Sequence, residues 1–188
     1  MLDFTTRFST GLAYDDFLTR YGTADQQQRW LNYYNSIKLT DSQRQLLAGF
    51  TREMHVLCMA GAWCGDCVQQ CPIFRHFEEA AQAISLRFID RDADEELKSK
   101  LTICGGARVP QVVFLSEDDQ PLGWYGDRTL SKYRAMAQAQ AGDSCATGIA
   151  GTGRQELELA VAQDWLDEFE RIQLILRLSP RLRKKHGD

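Results

Sequence analysis

The sequence predicts an α/β protein, a three-layer α/β/α sandwich with extra N-terminal helices and a long C-terminal helix. Three observations predict it. Short apolar runs of strand length recur at 54–60, 86–89, 112–115 and 122–125, with helical patterns between them. The first fifty residues show helical spacing only. Residues 155–178 carry one continuous apolar stripe at helical spacing.

Taken in order, residues 14–21 place Tyr14, Phe17, Leu18 and Tyr21 on one face, and Gly22 stops that helix. A second helix is expected over 25–37, with Trp30, Leu31, Tyr34 and Ile37. A third starts at Thr40 or Asp41, either of which can cap it, and carries Leu46, Leu47 and Phe50. Aromatic residues at this spacing are core. The run 54–60 (MHVLCMA) then reads as a buried strand. A helix follows over 68–82, a strand over 86–89 ending in Asp90, and a charged helix over 94–101. Residues 112–115 (VVFL) are a strand, 117–121 a turn, and 122–125 its antiparallel partner. A helix over 130–140 leads to the glycine-rich stretch 142–153, a loop or linker with no phosphate-binding pattern. Leu157, Val161, Trp165, Phe169, Ile172 and Leu176 stripe the final helix, and Pro180 ends it. That stripe packs on the domain; a dimer or partner surface is the rival reading. The expected division is a helical extension at 1–52, the α/β domain at 53–141, the loop at 142–155, and the amphipathic helix with its basic tail at 156–188.

Composition narrows the function classes. With 44% apolar and 26% charged residues, the 188-residue chain can bury a real core. A formal net charge of −4 supplies no field for nucleic acid or an anionic membrane. The basic cluster Arg181, Arg183, Lys184 and Lys185 reads as a solvated helix end. No window approaches the ~20 apolar residues that span a bilayer. The first residues show no basic segment followed by an apolar one. The expected location is therefore the cytoplasm, where the six cysteines would not form a structural disulfide framework.

The chemistry concentrates in Ala62-Trp63-Cys64-Gly65-Asp66-Cys67. A Cys-x-x-Cys pair serves as a zinc half-site or a redox couple. Here it follows a strand and opens a helix. The first thiol then sits where unpaired N–H groups and the helix dipole stabilise a thiolate, the species that attacks disulfides. The second thiol lies one turn in, close enough to resolve a mixed disulfide.

This segment resembles the thioredoxin superfamily, as do Pro72, Val109-Pro110 before the VVFL strand, and Gly126 beyond it. The likeness covers roughly residues 50–141. It implies that Cys64 attacks and Cys67 resolves, and that Trp63 and Gly65 shape the site. Pro110 would be a cis-proline facing the cysteines, and Val109 would offer its backbone to an extended substrate. Gly126, with Tyr125 and Asp127, would line the rim, and Pro72 would kink the active-site helix. Two positions depart from the family pattern. Asp66 stands where proline is common, and Cys58 where a buried aspartate on the strand is usual. One hypothesis gives Asp66 the missing proton-acceptor role for Cys67; the other makes it an ordinary first-turn acid.

Of the remaining cysteines, Cys71 shares a helix face with Cys64 and Cys67. It reads as a small buried hydrophobe, with an accessory redox thiol or a third metal ligand as alternatives. Cys104, in the loop leading to Pro110, is a second candidate accessory thiol. Cys58 reads as core and Cys145 as incidental. An iron–sulfur site lacks the first part of its motif, and His55, His76 and His186 show no zinc spacing with the cysteines. No metal or other cofactor is expected. The function expected is thiol–disulfide exchange on a disulfide-bearing protein or small molecule, with a recycling reductase, by a monomer or weak dimer. The alternative is a redox sensor or binding module with little turnover.

Overall fold

In the computed structural model, which describes residues 2–141 and 153–188, four helices precede the first strand. These are α1 (Phe4–Thr10), α2 (Tyr14–Tyr21), α3 (Ala24–Ser36) and α4 (Asp41–Ala48). Then come β1 (Met54–Ala60), α5 (Gly65–Ala80), β2 (Ile84–Asp90), α6 (Glu95–Lys100), β3 (Gln111–Ser116), β4 (Pro121–Gly126) and α7 (Leu130–Ala141). The chain closes with α8 (Arg154–Leu178) and α9 (Pro180–His186). The glycine-rich stretch 142–152, with Cys145, lies outside the described residues.

The strands form one mixed sheet in the order β2-β1-β3-β4. β1 and β2 are parallel, joined through α5; β1–β3 and β3–β4 are antiparallel. Alternation sorts the side chains. Val56 and Cys58 share a face with their partners Phe114, Val112 and Phe88. On that face Phe88 meets Tyr14 and Phe17 of α2, and Phe114 meets Phe169 of α8. Phe74 and Phe77 of α5 close the layer against Trp165 and Phe169. On the opposite face His55 stacks on Phe8 of α1, and Arg7 ties α1 to Asp94 at the start of α6 at 2.7 Å. Helices therefore cover both faces, as the sequence patterning predicts.

The N-terminal helices are bounded by local signals. Thr23 and Thr40 each accept from the backbone N–H three residues on, and Gln26 and Gln43 reach back to complete capping boxes. Two features exceed the sequence expectation. Leu12 pairs with Phe88 through two backbone hydrogen bonds of 2.9 and 2.7 Å, adding a one-residue bridge outside β2. α8 ends before Pro180, as expected, but a further helix begins there. Ser179 caps a new helix, α9, with Pro180 in its first turn, where a missing N–H costs nothing.

The basic cluster is exposed, as expected, and part of it is also paired with the β3–β4 turn. Arg181 binds Asp118 (Nη2–Oδ1 3.0 Å), and Lys185 and His186 both hold Glu117 in the β3–β4 turn. Along α8, Val161, Trp165, Phe169, Ile172 and Leu176 are buried against the domain. Leu174, Ile175 and Leu178 stay exposed. Among the described residues no helix is long and apolar enough to cross a membrane.

Candidate active site

The cysteine motif lies where β1 ends and α5 begins. Cys64 is the N-cap of α5, in extended conformation, with Gly65 as the first helical residue. Its side chain is half-buried, and its Sγ lies 3.5 Å from the carbonyl oxygen of Val109. Its place at the N-terminus of α5, beside the N–H groups of Asp66 and Cys67, favours its thiolate, though the side chain makes no capping hydrogen bond. Cys67 is fully buried one turn below and accepts from the Gly61 N–H at 3.5 Å.

The two thiols act on each other's protonation, so they titrate as a unit. Burial pushes Cys67 up. Hydrogen bonds from the thiols of Cys64 and Cys71 and from the Gly61 N–H outweigh that and bring it down to about 5. Cys64 is held above the ordinary thiol range, first by its hydrogen bond to Cys67 and then by burial. The first proton of the pair is thus lost easily and the second with difficulty.

Neighbouring segments complete the site. The Val109–Pro110 bond is cis, and both residues are buried. Gly126, at the end of β4, has φ +155°, and a Cβ there would lie 2.3 Å from the Pro110 carbonyl oxygen. Only glycine lets the two loops approach so closely. The next bond, Gly126–Asp127, is also cis. Trp63 is 45% exposed, with the Arg91 guanidinium 4.5 Å over its ring. Its indole lies so close to Gly61 that a Cβ there would meet it at 2.7 Å. A cavity of about 350 Å³ beside Gly65 is walled by Arg29, Asn32 and Ser36 of α3.

Asp66 faces away from the proton-acceptor role. Its Oδ2 receives the Arg128 guanidinium at 2.6 Å, so its strong partner is a cation and not a thiol. Its charge still acts to raise Cys67. The first-turn-acid reading fits this arrangement. Cys71 is fully buried, 3.9 Å from the sulfur of Cys58 and one helical turn beyond Cys67. Cys104 is exposed at φ 50°, followed by Gly105 at φ 74°, in a tight turn closed by Ile103 and Gly106. Among the described residues no group of three or more His, Cys, Asp or Glu side chains is arranged to hold a metal ion.

Several supporting residues escape sequence reasoning. From the N-terminal extension, Trp30 donates its indole N–H to the Ala62 carbonyl at 2.9 Å and fixes the backbone beside Trp63. From the C-terminal helix, Trp165 donates to Gln70 Oε1 at 2.8 Å, and Gln70 Nε2 donates to the Asp127 carbonyl at 2.8 Å. The buried Asp127 carboxylate is held by Tyr133, Arg128 and Arg108. Both extensions thus brace the site from behind and leave Trp63 and Cys64 reachable.

Comparison with known proteins gives a consistent picture. A family model described as Thioredoxin matches residues 11–140. None of the curated proteins matches the chain. Among solved structures, a protein of unknown function, PA1234, from Pseudomonas aeruginosa aligns with TM-score 0.66 and 19% identity, over 89% of this chain and 99% of that one. An HIV epitope scaffold aligns with TM-score 0.62 and 18% identity, over 95% of this chain and 99% of that one. At these identities the structures show a shared fold.

Proposed function

We propose, from the premise that this chain belongs to the thioredoxin family, that it is a thiol–disulfide oxidoreductase. The observation that carries the reading is the pairing of a reachable sulfur at a helix N-cap, Cys64, with a buried, hydrogen-bonded sulfur one turn below, Cys67. Cys64, as thiolate, attacks one sulfur of a substrate disulfide, and the other sulfur leaves and takes a proton. Cys67 then attacks Cys64, gives its proton to the departing thiol, and leaves a Cys64–Cys67 disulfide. A recycling reductase returns the pair to the dithiol. The Val109 backbone, beside Cys64, suits an extended substrate segment. No bound cofactor enters these steps. We place this chemistry in the cytoplasm, where the pair would work as a reductant.

The test is turnover of a small disulfide, such as 2-hydroxyethyl disulfide, with dithiothreitol as the final reductant. Wild type should turn over and Cys64→Ser should fall to background. Cys67→Ser should accumulate a mixed disulfide on Cys64. Equal rates in wild type and Cys64→Ser would leave the second reading, a redox sensor or binding module, which draws on the exposed Trp63 and Trp124 flanking the sheet.

A further inference from the structure

We propose that Cys58 and Cys71 form a second, buried redox couple that takes up a disulfide from Cys64–Cys67 by way of Cys67, a proposal that rests on the oxidoreductase reading above. Cys58 points from β1 toward α5, and its sulfur lies 3.9 Å from that of Cys71. Both residues are fully buried. Closing this pair to a disulfide of about 2.05 Å asks for a shift of about 2 Å between side chains already in contact. Cys71 in turn acts on the protonation of Cys67, and Cys67 on that of Cys64. The cysteines lead from the half-buried Cys64 at the N-cap of α5, through Cys67 and Cys71 along the helix, to Cys58 in the core. Cys67 and Cys71 are one helical turn apart on the same face of α5, and Cys58 lies beneath them.

The transfer balances without an outside reagent. The Cys71 thiol attacks the Cys67 sulfur of the Cys64–Cys67 disulfide. The Cys67–Cys71 bond forms, and Cys64 leaves and accepts the Cys71 proton. The Cys58 thiol then attacks Cys71, and Cys67 leaves with the Cys58 proton. Two electrons have passed from Cys58 and Cys71 to Cys64 and Cys67. The outer pair is again a dithiol and can meet a second substrate disulfide. The chain would thus hold two disulfides, where an isolated Cys-x-x-Cys holds one. Both sulfurs are fully buried, out of reach of solvent oxidants, so they exchange by this relay and not by direct contact with an outside disulfide.

The experiment uses the full chain with Cys104 and Cys145 replaced by serine, which leaves Cys58, Cys64, Cys67 and Cys71 of the six cysteines. The reduced protein is exposed to excess glutathione disulfide, quenched in acid, unfolded and alkylated, and its remaining thiols are counted by intact mass. Loss of all four thiols as internal disulfides is expected. In Cys58→Ala or Cys71→Ala only the Cys64–Cys67 disulfide should form, and its formation shows that the variant is folded. In Cys64→Ser, disulfide formation between Cys58 and Cys71 should slow by about tenfold or more, because the entry point is gone. Loss of only two thiols, from Cys64 and Cys67, would overturn the second couple and leave the oxidoreductase reading standing. An undiminished rate in Cys64→Ser would overturn the relay. No internal disulfide at all would overturn both readings together.

Discussion

The two ends of the sheet are built on opposite plans. At the end where β1 stops and β3 begins, Cys64 caps a helix, Trp63 stands open, and a half-buried sulfur sits at the helix N-terminus. At the other end the charged groups are paired. Glu117 is held by Lys185 and His186, Asp118 by Arg181, Asp119 by His55, and Arg52 by Asp188. There Gln173 also accepts from the Thr51 and Arg52 N–H groups and donates to the Arg52 carbonyl. One end holds a reachable sulfur and an open Trp63 for a partner from outside. The other uses its charged groups to fasten the C-terminal helices to the sheet. The difference teaches where chemistry belongs in this fold: at the end where a reactive group remains accessible while its surroundings are rigid.

The largest expected effect breaks the open end directly. Cys64→Ser should abolish disulfide turnover while thermal unfolding stays close to wild type, since the side chain is only half-buried. Next comes the close approach of the two loops. Gly126→Ala puts a Cβ 2.3 Å from the Pro110 carbonyl oxygen at φ +155°. The backbone conformation alone should cost roughly 1–3 kcal/mol, read by denaturant unfolding. Turnover should fall with it, because Val109 and Pro110 must shift. The bracing of the site by the C-terminal helix is tested by Trp165→Phe. It leaves the buried Gln70 Oε1 without its 2.8 Å donor and should cost about 1–3 kcal/mol in the same assay.

A smaller effect sharpens the electrostatics. Arg128→Gln removes the cation 2.6 Å from Asp66 and leaves a bare carboxylate at the first turn of α5. The pH at which the thiol pair becomes reactive to iodoacetamide should rise, by less than about one unit, because a nearby negative charge disfavours the thiolate. Asp66→Asn should move it the other way. The smallest effect falls at the paired end. Arg181 and Ser116 hold Asp118 down, to about 2. A lowered carboxylate pKa contributes stability that is fully present above the unfolded value, 3.8, and is lost as pH falls through the folded one. Docking of α9 should therefore loosen between about pH 4 and pH 2, before the core unfolds, as read by amide exchange.

The same contrast explains what the sequence made legible. Cys64, Cys67 and Gly65 are neighbours in the chain, and their strand-to-helix setting follows from the apolar run 54–60 and the helical pattern after it. The antiparallel pair β3–β4 joined by a turn was legible, whereas the pairing of β1 with β3, which sets the sheet order, is long-range and was not. Arg128, Gln70, Trp165 and Trp30 were not legible as site residues. Each acts through a partner tens of residues away, and nothing in its own neighbourhood marks it. The contact of Cys58 with Cys71 was hidden for the same reason: one side chain sits on a strand, the other on a helix, thirteen residues apart. α9 was missed because Pro180 stops one helix and starts another, and the difference lies in the Ser179 cap.

The central claim is that Cys64 and Cys67 are a reversible redox pair. The most direct measurement equilibrates the protein in a graded series of thiol–disulfide buffers and maps the cysteine pairs by mass spectrometry after acid quenching. A Cys64–Cys67 disulfide that forms and reverses with a midpoint between about −200 and −320 mV is the result expected of a reductant in a cytosolic glutathione poise. Cysteines that stay unpaired across the whole series, or a Cys64 that pairs only with glutathione and never with Cys67, would contradict it.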